Sequence, residues 1–168
     1  MSQNFSSPKS DEDQISIRSA NPNEAGLIVQ LLGQVYAPFE ADFTPTASRW
    51  TVENVSDGVA NWLLAFGGVS CDLARTDASN QLLGAVRHES DPLGYTFDAL
   101  AVRPDKQGKG IGSRLVHECE ALAMRHGRPR MVIALRMSLQ SNLAFFMKRG
   151  YSDLRAFGND HRLYGKEL

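Results

Sequence analysis

The stretch AVRPDKQGKGIGSRLV, residues 101–116, places Gly108, Gly110 and Gly112 at alternate positions. An apolar run precedes them and a helical pattern follows. Without Cβ atoms, such a loop lets backbone approach a ligand closely. Its N–H groups converge where the helix begins, and the unsatisfied donors and partial positive charge there suit a phosphate. Ser113 adds a hydroxyl, and Lys109 and Arg114 add charge. A P-loop requires G-x-x-x-x-G-K-[ST], but Lys109 lies between glycines and no Gly-Lys-Ser/Thr follows. A dinucleotide fingerprint requires G-x-G-x-x-G in a βαβ unit. Here the spacing is G-x-G-x-G, and the next strand ends in ALRM, with no acidic residue to hold a ribose. A tight turn is the plain alternative, yet one glycine would make it. Three at a helix start cost up to about 1 kcal/mol each against alanine.

Other residues could carry acid–base chemistry. Asp98 falls on a predicted strand, 95–104, where period-two alternation puts Thr96, Asp98 and Leu100 on one face. It could act as a general base, directly or through water, or make an ordinary strand-end hydrogen bond. His88 and Glu89, at the end of the preceding strand, are alternatives. Cys119 falls on an apolar helical stripe and reads as core. Phe39, Glu40, Asp42, Trp50 and Trp62 could receive a cationic amine; they could equally be a solvated loop and two core tryptophans.

The elements that must position these residues follow from periodicity. Residues 14–20 alternate as a strand. Asn21, Pro22 and Glu24 read as a capping box opening a helix with a stripe of Leu27, Ile28, Leu31, Leu32 and Val35. Residues 37–48 read as a loop, and 49–66 as a second helix weakened by Gly58. Strands are predicted over 69–77, 81–90 and 95–104, the first two joined by an ASN turn. A helix spans 110–126, capped by Gly127. The apolar run 129–137 reads as a strand buried on both faces. A helix over 141–149 stops at Gly150, and two further strands close a hairpin around NDH. Short links make the early strands antiparallel, whereas the helical link makes the fourth and fifth parallel. The fold class is mixed α/β, with one domain over 14–168 behind a polar tail, 1–13, predicted to be disordered.

Taken whole, LAVRPDKQGKGIGSRL resembles the acyl-CoA pyrophosphate loop of the GNAT N-acetyltransferase superfamily. The motif Q/R-x-x-G-x-G/A is met by Gln107, Gly108, Lys109, Gly110, Ile111 and Gly112. Downstream, RMSLQSNLAFFMKRGY (136–151) resembles the family's second block, a strand, an N-x-x-A/F-F/Y helix and a Gly-aromatic pair. The resemblance implies a mixed, mostly antiparallel sheet of about seven strands. Strands four and five splay apart, and helices lie on both faces. It implies direct acyl transfer from acetyl-CoA to a primary amine of a small molecule or peptide. The pantetheine arm would lie along Leu100, Ala101 and Val102, the pyrophosphate would rest on residues 107–113, Ser113 included, and Asn142 would hydrogen-bond the pantetheine. Two departures stand out. Thr96 occupies the position where some members carry a catalytic glutamate. Phe146 occupies that of the tyrosine that protonates the departing sulfur; it cannot donate a proton, and could wall the CoA tail or simply fill the core. A non-catalytic acyl-CoA-binding or regulatory module is therefore the alternative.

Composition narrows the class. The 168 residues carry Lys+Arg 18 against Asp+Glu 19, a net charge of −1, without the basic excess of a nucleic-acid binder. Such a chain buries roughly 70% of its unfolded surface. No run of 18 apolar residues and no signal-peptide core are present, so residence in the cytoplasm and no membrane partner are expected. The cysteines, Cys71 and Cys119, make neither a disulfide framework nor a metal site. A homodimer is suggested as an assembly only by how often soluble proteins pair.

Overall fold

The computed structural model describes residues 15–39, 50–67 and 81–168. Strand β1, Ile15–Ser19, leads through a 3-10 turn at Pro22–Glu24 into helix α1, Ala25–Tyr36. The capping box holds: the Asn21 N–H donates to the Glu24 carboxylate at 2.7 Å. Helix α2 is Val52–Asp57, followed by strands β2, Trp62–Gly67, β3, Gln81–Asp91, and β4, Gly94–Val102. Helix α3, Ile111–Arg125, then leads to β5, Arg130–Arg136. Helix α4, Gln140–Met147, and the hairpin of β6, Ser152–Ala156, and β7, His161–Glu167, complete the chain.

The expected helix over 49–66 is corrected. Only its first part coils, and it stops at Gly58; the segment WLLAFG is strand β2. All five residues from Trp62 to Phe66 are buried. A run covered on both faces has no period that separates helix from strand, so pairing with β1 and β3 decides it. The predicted strand 69–77, its ASN turn and the tail 1–13 lie outside the described residues.

The seven strands form one sheet in the order β1-β2-β3-β4-β5-β7-β6. Every neighbouring pair is antiparallel except β4 with β5, whose parallel ladder is the single register pair Tyr95↔Met131. Gly94 permits that meeting, because a Cβ there would lie 2.5 Å from the Arg130 carbonyl oxygen. Beyond it the strands part, which is the splay the resemblance implied. Helices α1 and α2 cover one face through Ile28, Leu31, Leu32 and Val55, packed on Trp62, Leu64 and Ala101. Helices α3 and α4 cover the other through Ile111, Leu115, Cys119, Leu143 and Phe146, packed on Phe97 and Ile133.

Candidate functional site

A backbone bond, a side chain and two left-handed glycines set the glycine loop onto the end of β4. The Arg103 N–H reaches the Leu83 carbonyl on β3 at 2.8 Å. By antiparallel alternation the backbone groups of Val102 then face the other way, toward the gap left by β5. Gln107 Nε2 donates to the Val102 carbonyl at 3.1 Å, tying the loop to that open edge. Gly108 and Gly110 have φ of 76° and 81°, the left-handed region that favours glycine, and Gly110 caps α3.

Gly112 differs. Its φ is ordinary, and a Cβ would meet Val102 Cγ2 at 3.6 Å and Phe145 Cζ at 3.8 Å, normal contacts. Packing does not require glycine here, although it stands in the first turn of a helix. Ser113, beside it, accepts a hydrogen bond from the Arg149 guanidinium. Arg149 also donates to the Phe145 carbonyl at 2.7 Å and lies 3.4 Å over the Phe145 ring. Desolvation lowers its pKa below the ordinary guanidinium value. The sequence reading missed Arg149, a cation beside the first turn of α3. The available signal was the Lys-Arg pair immediately before the helix-stopping Gly150.

Asn142 stands exposed in the first turn of α4, which starts at Gln140, one residue before the expected 141. Phe146 is 5% exposed and packs against Phe97, Phe145 and Tyr151 at ring distances of 4.9 to 5.7 Å. It fills core.

Strand β4 carries a bulge opposite Val86: Ala85 pairs with Ala101 and Arg87 with Asp98, so Ala99 and Leu100 share one place. Ala99 takes φ 49° to make the turn. The bulge overturns the expected common face of Asp98 and Leu100. Leu100 and Val102 pack with the α3 side, whereas Ala99 and Ala101 pack with the α1 side. Tyr36, the last residue of α1, donates its hydroxyl to the Leu100 carbonyl at 3.3 Å. Burial, and secondarily the Asp98 charge, push its pKa up to about 12.

Asp98 is bound at both oxygens. Arg87 Nε donates to Oδ1 at 2.7 Å and its terminal nitrogen to Oδ2 at 2.5 Å. Arg87 also lies 3.6 Å from Glu89 and 5.5 Å over the Trp50 ring. Its pKa is raised, chiefly by the Asp98 hydrogen bond. A carboxylate gripped bidentately is suited to holding an arginine. Trp50 meets Trp62 edge-on at 5.4 Å, and Trp62 is core, 1% exposed. Phe39 is exposed, while Glu40 and Asp42 lie outside the described residues. His88 is buried on the α3 side against Tyr95, at the far end of α3 from the loop. Burial pushes the Cys119 thiol up, as expected of core.

Loop, splayed strands and second block thus meet at the open edge of β4. The model of the acetyltransferase (GNAT) family matches residues 35–151. The chain belongs to the GNAT acetyltransferase family. Its fold is similar to PaiA N-acetyltransferase from Thermoplasma acidophilum in complex with coenzyme A. That similarity has a TM-score of 0.77 at 15% identity, over 92% of this chain and 99% of that one. It is similar also to a GNAT acetyltransferase from Brucella melitensis in complex with acetyl-CoA, with a TM-score of 0.65 at 17% identity over 92% and 88%. A third similar structure is N-acetylglutamate synthase from Neisseria gonorrhoeae, with coenzyme A and N-acetyl-glutamate. There the TM-score is 0.68 at 17% identity, over 92% of this chain and 35% of that one. No curated protein matches the sequence. Members of this family use acetyl-CoA as acyl donor, and this acetyltransferase has the family's loop and splay to take it. Among the described residues no helix is long and apolar enough to cross a membrane.

Proposed function

We propose that this GNAT protein transfers the acetyl group of acetyl-CoA to a primary amine of a small molecule or peptide. Gly112 carries the donor half: the fold tolerates a Cβ there, so its bareness fits a ligand lying against the helix start. Residues 107–113 would hold the pyrophosphate with backbone N–H groups, with Arg149 and Ser113 beside them. The open edge of β4 at Leu100 and Val102 would take the pantetheine arm. Each carbonyl there already accepts one side-chain bond and keeps a second lone pair.

Acetyl-CoA supplies a thioester whose thiol, with pKa about 8.5, leaves readily. The amine nitrogen bonds to the acetyl carbon, the carbon–sulfur bond breaks, and its electron pair departs on sulfur. A protonated amine of pKa about 10.4 must first lose a proton to solvent, since less than roughly 0.1% is neutral at pH 7. The nitrogen releases a second proton to solvent as the amide forms. Phe146 can donate none, so water protonates the thiolate. The acceptor would approach on the α1 face, where Trp50, Glu89 and Asp98 surround Arg87.

A thermal-shift titration with acetyl-CoA, CoA, ATP and NAD tests the donor site. Ligand at 100 times its dissociation constant stabilises by about 2.7 kcal/mol, a rise of roughly 5–10 °C for a domain this size. Both CoA forms should shift the midpoint. A shift with ATP or NAD alone sinks the proposal. Thiol release across an amine panel tests transfer; tight CoA binding without any release would favour a non-catalytic binding module.

A further inference from the structure

We infer that Tyr36 is a positioning residue for the acyl end of the donor, acting through the β4 bulge. The inference rests on the donor site proposed above. Four observations converge on it. The Ala99–Leu100 bulge is the one irregular step of β4, and Ala99 sits at φ 49°, where alanine is strained. Beyond Tyr95 no register pair with β5 holds that edge. The Leu100 carbonyl at the bulge instead accepts from the Tyr36 hydroxyl, brought across the sheet face by the end of α1. Burial and the neighbouring Asp98 raise that hydroxyl's pKa, so it stays protonated and a donor at neutral pH.

The order of residues along β4 divides the work. Val102 is next to the glycine loop and is tied by Gln107. Leu100 is two residues further from the loop, toward Asp98. A donor anchored at the loop and running along β4 meets Val102 first and the bulge later. The Gln107 tie therefore belongs to the phosphate-proximal arm and the Tyr36 tie to the thioester. A bulge leaves backbone groups outside the ladder, and their aim depends on whatever holds the bulge in shape. Tyr36 is that hold, reaching from a helix that carries none of the loop.

Calorimetric titration of wild type, Tyr36→Phe and Gln107→Ala with acetyl-CoA and with CoA separates the two ties. Tyr36→Phe keeps the ring and its packing and removes only the hydroxyl. It should weaken acetyl-CoA by about fivefold while leaving CoA within about twofold, the scale of one hydrogen bond. Gln107→Ala should weaken both alike. With any amine that turns over, Tyr36→Phe should lower kcat more than it raises the KM for acetyl-CoA. Equal weakening of both ligands by Tyr36→Phe, or no change in either, overturns the inference while the donor site stands. Failure of wild type to bind either CoA form overturns the donor site and this inference together.

Discussion

Asp98 illustrates how a residue's partners decide what it can do. As a strand carboxylate near the thioester end it has the right type for a general base, and sequence shows nothing against that. The structure gives both its oxygens to Arg87, which in turn lies over Trp50. Asp98→Asn should therefore act through the arginine. The pair is partly exposed, 21% at Arg87 and 43% at Asp98, so its loss should cost no more than about 1 kcal/mol of stability. The kcat/KM for the amine should fall roughly tenfold while its pH profile keeps its shape. A general base would instead contribute 10²–10⁴-fold, with its removal deleting the acidic limb. Comparing pH–rate profiles of wild type and Asp98→Asn decides between the two. Phe146 is the counterpart: its type already announced that it donates no proton, and its burial among Phe97, Phe145 and Tyr151 agrees.

At the scale of elements, Gly112 allows demands of fold and ligand to be separated. Gly108 and Gly110 have backbone reasons to be glycine, so substituting them would confuse strain with lost binding. Gly112→Ala adds a methyl in ordinary contact with Val102 and Phe145 and improves helix propensity. It should raise stability by about 0.5–1 kcal/mol. It should also weaken CoA, because the proposed donor site lays the pyrophosphate arm against this helix start. Urea unfolding and CoA titration on one preparation check both; unchanged CoA affinity would remove Gly112 from the site. The loop, α3 and the parallel step from β4 to β5 were legible because glycine spacing and a 3.6-residue stripe are local signals. Two features were not. Strand β2 is apolar on both faces, so its run carries no periodicity, and only β1 and β3 make it a strand. The β4 bulge adds one residue opposite Val86 and reverses every alternation drawn through it. Arg149 and Tyr36 lay in plain view, but 36 and 64 residues from the groups they bond.

Across the whole molecule the length of α3 separates the candidate donor site from a second polar cluster at its other end. That helix runs about 22 Å from the glycine loop to its C-terminus. There His88 stacks on Tyr95, and Tyr95 on His126. His88 Nδ1 lies 2.8 Å from the Tyr95 hydroxyl, while its buried Nε2 has no hydrogen-bond partner among the described residues. Desolvation first, and the charge of His126 second, lower the His88 pKa from its ordinary 6.5. The folded state thus takes up this proton less readily than the unfolded chain. Its neutral ring costs nothing above pH 6.5; below that the unfolded chain is protonated first, and stability falls until the folded ring titrates too. One proton sets a limiting slope of about 1.4 kcal/mol per pH unit. Urea unfolding of wild type and His88→Gln between about pH 5 and 8 measures it, since glutamine keeps a polar group near Tyr95 but does not titrate. Wild type should lose stability toward acid more steeply than the variant, by an amount approaching that slope. Parallel curves would mean that His88 is solvated in the fold. Acid would then act on the fold through its other titratable groups, and His88 would contribute nothing to the pH range in which the fold stays assembled.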